Sequence, residues 1–190
     1  MVSIKGLAKK YDSLLAVDGI DLEISKGELF GFLGPNGAGK TTTIKLLVGL
    51  LKPTSGSIFI DGIDLGLNPI EVKNIGYIPD RPFLYDKLTG WEYLELVVGL
   101  FSMDMDVAHD RAKKILGFFV LNDFADELIE GYSHGMKQKL IISGALIHNP
   151  KVLIVDEPLV RLDPKGARQV KQLFQDLCVE GTTNFCQHIR

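Results

Sequence analysis

Leu29-Phe30-Gly31-Phe32-Leu33 followed by Gly34-Pro35-Asn36-Gly37-Ala38-Gly39-Lys40-Thr41 is the stretch that decides the fold. The apolar run 29–33 reads as a strand, residues 42–50 carry a helical apolar pattern, and the turn between them has the spacing G-x-x-x-x-G-K-[ST]. That spacing is a mechanical requirement. The glycines let successive backbone N–H groups curl around phosphate oxygens, Lys40 reaches the β/γ-phosphates, and the Thr41 hydroxyl sits where Mg²⁺ binds. A helix starting at this point adds its positive end to the same anion site. The strand before and the helix after supply the context that separates a phosphate loop from a chance match to the spacing.

Around this loop, strands are expected at 2–6, 20–24, 29–33, 57–61, 75–78 and 151–155, and helices at 40–50, 90–102, 106–117, 134–147 and 165–178. Strands and helices interleave, and Lys151-Val152-Leu153-Ile154-Val155 is the continuous apolar type of a strand buried on both faces. The prediction is an α/β fold with a mostly parallel core sheet. Between Pro82 and Pro150 the pattern is almost purely helical, which predicts a helical subdomain over about 82–150. At 190 residues the chain reads as one domain with room for a substantial core.

Composition narrows the function. A net charge of −3 leaves no basic footprint for nucleic acid, so no nucleic-acid partner is expected. The apolar stretches at 93–101 and 140–147 fall far short of the ~20 residues of a membrane helix. The N-terminus Met1-Val2-Ser3-Ile4-Lys5 alternates like a strand and lacks the apolar core of a signal peptide. Two cysteines, Cys178 and Cys186, suggest no disulfide framework, and a cytoplasmic location is expected.

A second motif complements the loop. Val152-Leu153-Ile154-Val155-Asp156-Glu157 puts two acids at the carboxyl end of a buried strand, where open α/β sheets place their chemistry. Asp156 is positioned to hold the Mg²⁺ shell and Glu157 to polarise an attacking water. Without the phosphate loop the pair would read as two solvated acids ending a strand. A third motif, Tyr132-Ser133-His134-Gly135-Met136-Lys137-Gln138, opens the helix at 134–147. Taken alone, Ser133 there is an ordinary N-cap.

In this order the motifs resemble the ATP-binding subunit of ABC transporters, over essentially residues 1–183. The wording Gly31-Phe32-Leu33-Gly34-Pro35-Asn36 and the Ser133 motif resemble subunits of ABC-2-type exporters. The resemblance implies a P-loop NTPase fold with an N-terminal antiparallel β portion. It implies ATP and Mg²⁺ as cofactors and binding through Gly34, Pro35, Asn36, Gly37, Ala38, Gly39, Lys40, Thr41 and Thr42. Tyr11 matches the aromatic that stacks on adenine. Asp80 stands where the family usually has a glutamine that senses Mg²⁺ and water. Ser133 and Gly135 match signature residues that contact the γ-phosphate bound by a partner subunit, and Leu162-Asp163-Pro164 match a loop that communicates across the dimer. The implied machine is an ATPase in which two copies, or this chain and a paralogue, clamp two ATP molecules head to tail. It would power a separate integral membrane permease from the inner face of the membrane, with Lys40 and Glu157 as the catalytic pair. Arg81-Pro82-Phe83-Leu84-Tyr85 is the expected docking surface for that permease.

The departures matter too. Asp80 is shorter than glutamine and charged, so it can still ligate the metal cation but adds negative charge near the phosphates. His134 and Met136 replace the commonest glycine and glutamine, and Arg161 stands where a glycine is usual. Two other readings stand beside this one: a soluble ABC ATPase working on ribosomes or DNA, whose usual second ATPase unit or long coiled-coil insertion is not seen in this sequence, and a fragment that binds nucleotide with impaired turnover, which the departures support. Near the C-terminus the family pattern expects a strand ending Ser-Thr-His, its histidine contacting the γ-phosphate. The chain instead reads Asn184-Phe185-Cys186-Gln187-His188-Ile189-Arg190. Permitted codons for these residues, read from the third base of the first, encode Phe-Leu-Ser-Thr-His-Thr. The expectation is that 184–190 are out of frame and that the C-terminal part of the fold is missing.

Overall fold

The computed structural model describes residues 1–81, 83–157 and 162–187. Two sheets and a helical layer make up the molecule. The first sheet is antiparallel, in the order β2-β1-β4-β5, with β1 at Val2–Tyr11, β2 at Leu14–Ile24, β4 at Ser55–Ile60 and β5 at Ile63–Asp64. The second is parallel, in the order β3-β8-β7-β6, with β3 at Leu29–Phe32, β6 at Ile75–Ile78, β7 at Val152–Asp156 and β8 at Thr183–Gln187. The helices are α1 at Lys40–Leu47, α2 at Gly90–Leu100, α3 at Met105–Phe118, α4 at His134–Ile147 and α5 at Pro164–Val179.

The parallel sheet separates two cores, and β7 feeds both. Val152 and Ile154 pack with α1 and the antiparallel sheet, beside Ile44, Leu47, Ile75 and Phe185. Leu153 and Val155 face the opposite way, into a core with Leu94 of α2, Leu116 of α3, Leu140 of α4 and Phe174 of α5. Every residue of β7 is buried, which is why its sequence is an unbroken apolar run and not an alternating one. The helical layer of α2, α3 and α4 occupies the expected 82–150 stretch, and α4 also packs on β6.

Several expected boundaries are corrected. β1 and β2 do not stop near Gly6 and Gly19. Both glycines take positive φ, 54° and 61°, where the pairing register slips, so they are bulges within continuous strands. The Asp12-Ser13 turn then closes the hairpin, with Tyr11 paired to Leu14. Helix α1 ends at Leu47 and not at 50, because Gly49 takes φ 73° and its N–H returns to the Leu46 carbonyl. The remaining helices agree within two residues, and α4 matches at both ends.

The strand β8 was expected only through the family pattern, and residues 184–187, expected to be out of frame, form most of it. It is inserted between β3 and β7 with all five residues buried. Asn184 is tolerated there because its amide donates to the Phe174 carbonyl at 2.7 Å. Both cysteines are free thiols, and burial pushes Cys186 up to about 12. His188 and Arg161 lie outside the described residues. Among the described residues no helix is long and apolar enough to cross a membrane.

Candidate functional site

The parallel order fixes the site. With β3, β8, β7 and β6 side by side, their carboxyl ends present in turn the phosphate loop, Gln187, Asp156 and the Pro79-Asp80 segment along one edge of the sheet. Open parallel sheets bind ligands at this edge.

The loop leaves β3 and enters α1 through Gly39. This residue has φ 79° and caps α1 without a side-chain hydrogen bond. A Cβ at Gly39 would lie 2.2 Å from the Ala16 carbonyl oxygen, so glycine is required both by conformation and by the close approach of β2. That approach also sets the β1–β2 hairpin, with Tyr11 at its end, beside the loop. The Tyr11 ring is exposed, and the Lys9 ammonium lies over it at 5.2 Å from its centroid.

Lys40 is folded back onto the loop. Its Nζ donates to the carbonyls of Gly34 and Pro35, each at 2.8 Å, and the residue is only 6% exposed. The loop thus holds a cation at its centre, with residues 35–38 exposed around it. Thr41 is exposed in the first turn of α1, where helix-start N–H groups have no partner within the helix. Thr43 is committed elsewhere, its Oγ1 donating to the Gly39 carbonyl at 3.0 Å.

Asp156 closes β7 at 4% exposure. It shares the α1 face with Val152 and Ile154 by strand alternation, so its carboxylate belongs to the side on which α1 and the loop lie. Glu157 follows with φ 52°, a left-handed conformation uncommon for a non-glycine residue. The turn re-aims its side chain relative to the strand. Asp80 and Asp156 both act on Tyr77 of β6, whose hydroxyl is pushed up to about 12 by burial first and then by these two carboxylates. Asp80 also stands 3.8 Å from the Arg81 guanidinium, an exposed and weak pairing.

The donors along this edge suit a hard divalent cation, since the available atoms are all oxygens. Among the described residues no three His, Cys, Asp or Glu side chains gather into a preformed metal cluster. A Mg²⁺ ion would therefore be held jointly, by Asp156 and Thr41 on the protein side and by phosphate oxygens on the other.

Ser133 and Gly135 are placed on the helical layer. Ser133 caps α4, its hydroxyl accepting from the Met136 N–H at 3.2 Å, so the ordinary capping role is real. Lys137 of the same turn pairs with Asp86 at 2.7 Å, and Lys87 pairs with Glu130 at 2.6 Å. The segment after Asp80 is thereby fastened to the one before Ser133, with backbone bonds from Ile129 to Leu88 and from Glu130 to Asp86. Asp163 caps α5 by accepting from the Gly166 N–H at 3.0 Å, with Pro164 in the first turn. Gln187, which the sequence reading passed over, lies in the row beside Asp156. Its polarity in a buried strand was the available signal.

The ABC transporter family model matches residues 17–160. The uncharacterized ABC transporter ATP-binding protein YxlF of Bacillus subtilis (strain 168) is 38% identical over 189 residues, covering 100% of this chain and 63% of the relative. The bacitracin transport ATP-binding protein BcrA of Bacillus licheniformis is 39% identical over 181 residues, covering 95% of this chain and 58% of the relative. A solved dimeric ATP-binding cassette in a post-hydrolysis state, bound to ADP and Pi, superposes with a TM-score of 0.89 at 28% identity, covering 100% of this chain and 88% of that one. The chain spans between 52% and 63% of the length of such curated relatives. A family match across most of the residues, on a fold that brings the loop and the acidic strand to one edge, establishes that this chain belongs to the ABC transporter family as an ATP-binding domain.

Proposed function

We propose that the chain binds Mg·ATP and hydrolyses it to drive an export permease, in partnership with a second ATP-binding subunit. The observation that carries this reading is the alignment of the phosphate loop with buried Asp156, and of Glu157 after it, along one sheet edge. Catalysis at such a site is positioning and charge neutralisation. Lys40 exchanges its two carbonyls for phosphate oxygens. The α1 helix start offsets the charge that develops on the γ-phosphoryl group, Thr41 and Asp156 would hold a Mg²⁺ ion whose charge would add to that neutralisation, and Glu157 orients the attacking water. Tyr11 stacks on the base. Asp80 adds a carboxylate at the metal side.

Ser133 and Gly135 serve the nucleotide of the partner subunit in this reading. Their helix packs on α2, α3 and β6, so a head-to-tail pair of cassettes would complete each site from two chains. The docking surface for the permease is Arg81-Pro82-Phe83-Leu84-Tyr85, of which Pro82 lies outside the described residues. Phe83 is 78% exposed and meets the Tyr85 ring edge-on at 5.3 Å, an aromatic pair suited to anchoring a partner. Leu84 packs against the helical core and roots the patch in it. The chain would then sit at the inner face of the membrane. A transport role of this kind is suggested by the bacitracin transport relative.

The test is Glu157→Gln, which keeps shape and removes the base. ATP binding is expected to persist, hydrolysis to fall to background, and light scattering to report an ATP-dependent dimer more persistent than that of the parent. Hydrolysis at the parent rate would exclude Glu157 as the base.

A further inference from the structure

Gln187 is an unexplained polar residue in the core of the sheet. The parallel register sets it beside Asp156 of β7 on one side and Phe32 of β3 on the other. Register partners share a face, and the alternation of β8 agrees: Phe185 packs into the α1-side core, whereas Cys186 packs into the opposite one. Gln187 is therefore on the α1 face, at the carboxyl end, next to the carboxylate that the site offers to a metal. It is 5% exposed, and among the described residues its Oε1 has no hydrogen-bond partner. A buried acceptor left unpaired destabilises the free protein; of the four such atoms found among the described residues, Ser3 Oγ, His148 Nδ1, Asn184 Oδ1 and Gln187 Oε1, that of Gln187 stands at the ligand edge, where a donor can arrive with a ligand.

We propose that Gln187 is a binding residue of the metal–nucleotide site, its Oε1 accepting a hydrogen bond from a water in the shell of the divalent cation. This rests on the nucleotide reading above. The chemistry selects the donor. Phosphate oxygens are acceptors and cannot satisfy Oε1, and in the nucleotide-bound state the Lys40 ammonium turns from the Gly34 and Pro35 carbonyls to the phosphates. Mg²⁺ dehydrates reluctantly and keeps several waters, each polarised into a strong donor. A neutral amide oxygen beside Asp156 holds such a water without adding negative charge where phosphate charge gathers.

Calorimetric titration with ADP in EDTA, and again with ADP in saturating Mg²⁺, separates the metal-dependent gain from nucleotide affinity itself. The parent chain is expected to bind ADP in both, more tightly with Mg²⁺. Gln187→Leu should keep the affinity in EDTA, lose about five- to tenfold of the Mg²⁺-dependent gain, and unfold at or above the parent temperature because the orphan acceptor is gone. Gln187→Glu should recover the gain, and Mn²⁺ affinity by electron paramagnetic resonance should follow the same order. If the Leu variant does not fold, Gln187→Asn, which withdraws the oxygen by one carbon, should lose the gain in its place. An undiminished Mg²⁺ gain in whichever of these two variants folds overturns the role of Gln187 while the nucleotide reading stands. Absence of ADP binding by the parent in both conditions overturns the nucleotide reading, and this role with it.

Discussion

Phe185→Ala should be among the most destabilising single changes in the chain. Phe185 is 1% exposed at the middle of β8, with the Phe30 ring at 5.6 Å and the Phe32 ring at 5.0 Å between centroids. Removing a buried phenylalanine forfeits its transfer free energy and leaves a cavity, together about 3–5 kcal/mol. Phe30 and Phe32 belong to β3 and are only partly buried, so they can lean inward and recover some of that loss. A cost of about 3–4 kcal/mol follows, a large fraction of the ~5–15 kcal/mol that holds a domain together. With a urea slope of about 2 kcal/mol/M, the unfolding midpoint should fall by about 1.5–2 M. Phe118→Ala is the control: this residue is half-exposed on α3, and its loss should cost about 1 kcal/mol or less. Equilibrium urea unfolding followed by circular dichroism measures both. A Phe185→Ala cost below about 1 kcal/mol, or equal to that of Phe118→Ala, would mean that residues 183–187 are not the strand between β3 and β7.

One further outcome is expected. Phe83→Glu should abolish co-purification with the cognate permease and leave nucleotide affinity within twofold, since the ring is exposed and contacts Tyr85, not the phosphate loop; unchanged co-purification would remove the patch as the docking surface.

The site was legible where chemistry demands a fixed spacing. The phosphate loop, the acidic end of β7 and the boundaries of α4 follow from residue type alone, because a glycine-rich turn, an unbroken apolar run and an N-cap serine each leave a local signal. The first sheet was harder. Gly6 and Gly19 look like strand ends, and only the pairing of β1 with β2 reveals that they are bulges. The helix after the loop was overextended because the apolar pattern continues through Leu50 and Leu51, while the stop is set by the left-handed Gly49. β8 was obscured by its polar residues. Asn184 and Gln187 argue against a buried strand until the Phe174 carbonyl that accepts from the Asn184 amide, and the ligand edge that lies beside Gln187, are seen in three dimensions.

The central claim is that the loop at 34–41 holds the phosphates of ATP through Lys40. Calorimetric titration of the chain with Mg·ATP, beside Lys40→Ala, tests it most directly. In the parent, Lys40 gives up two carbonyl bonds for bonds to charged phosphate oxygens, a net gain of about 2 kcal/mol or more, and the variant should bind at least ~30-fold more weakly. Saturable one-to-one binding by the parent, displaced by ADP and lost in the variant, is the predicted result. No saturable binding by the parent, or a variant within threefold of it, would contradict the account.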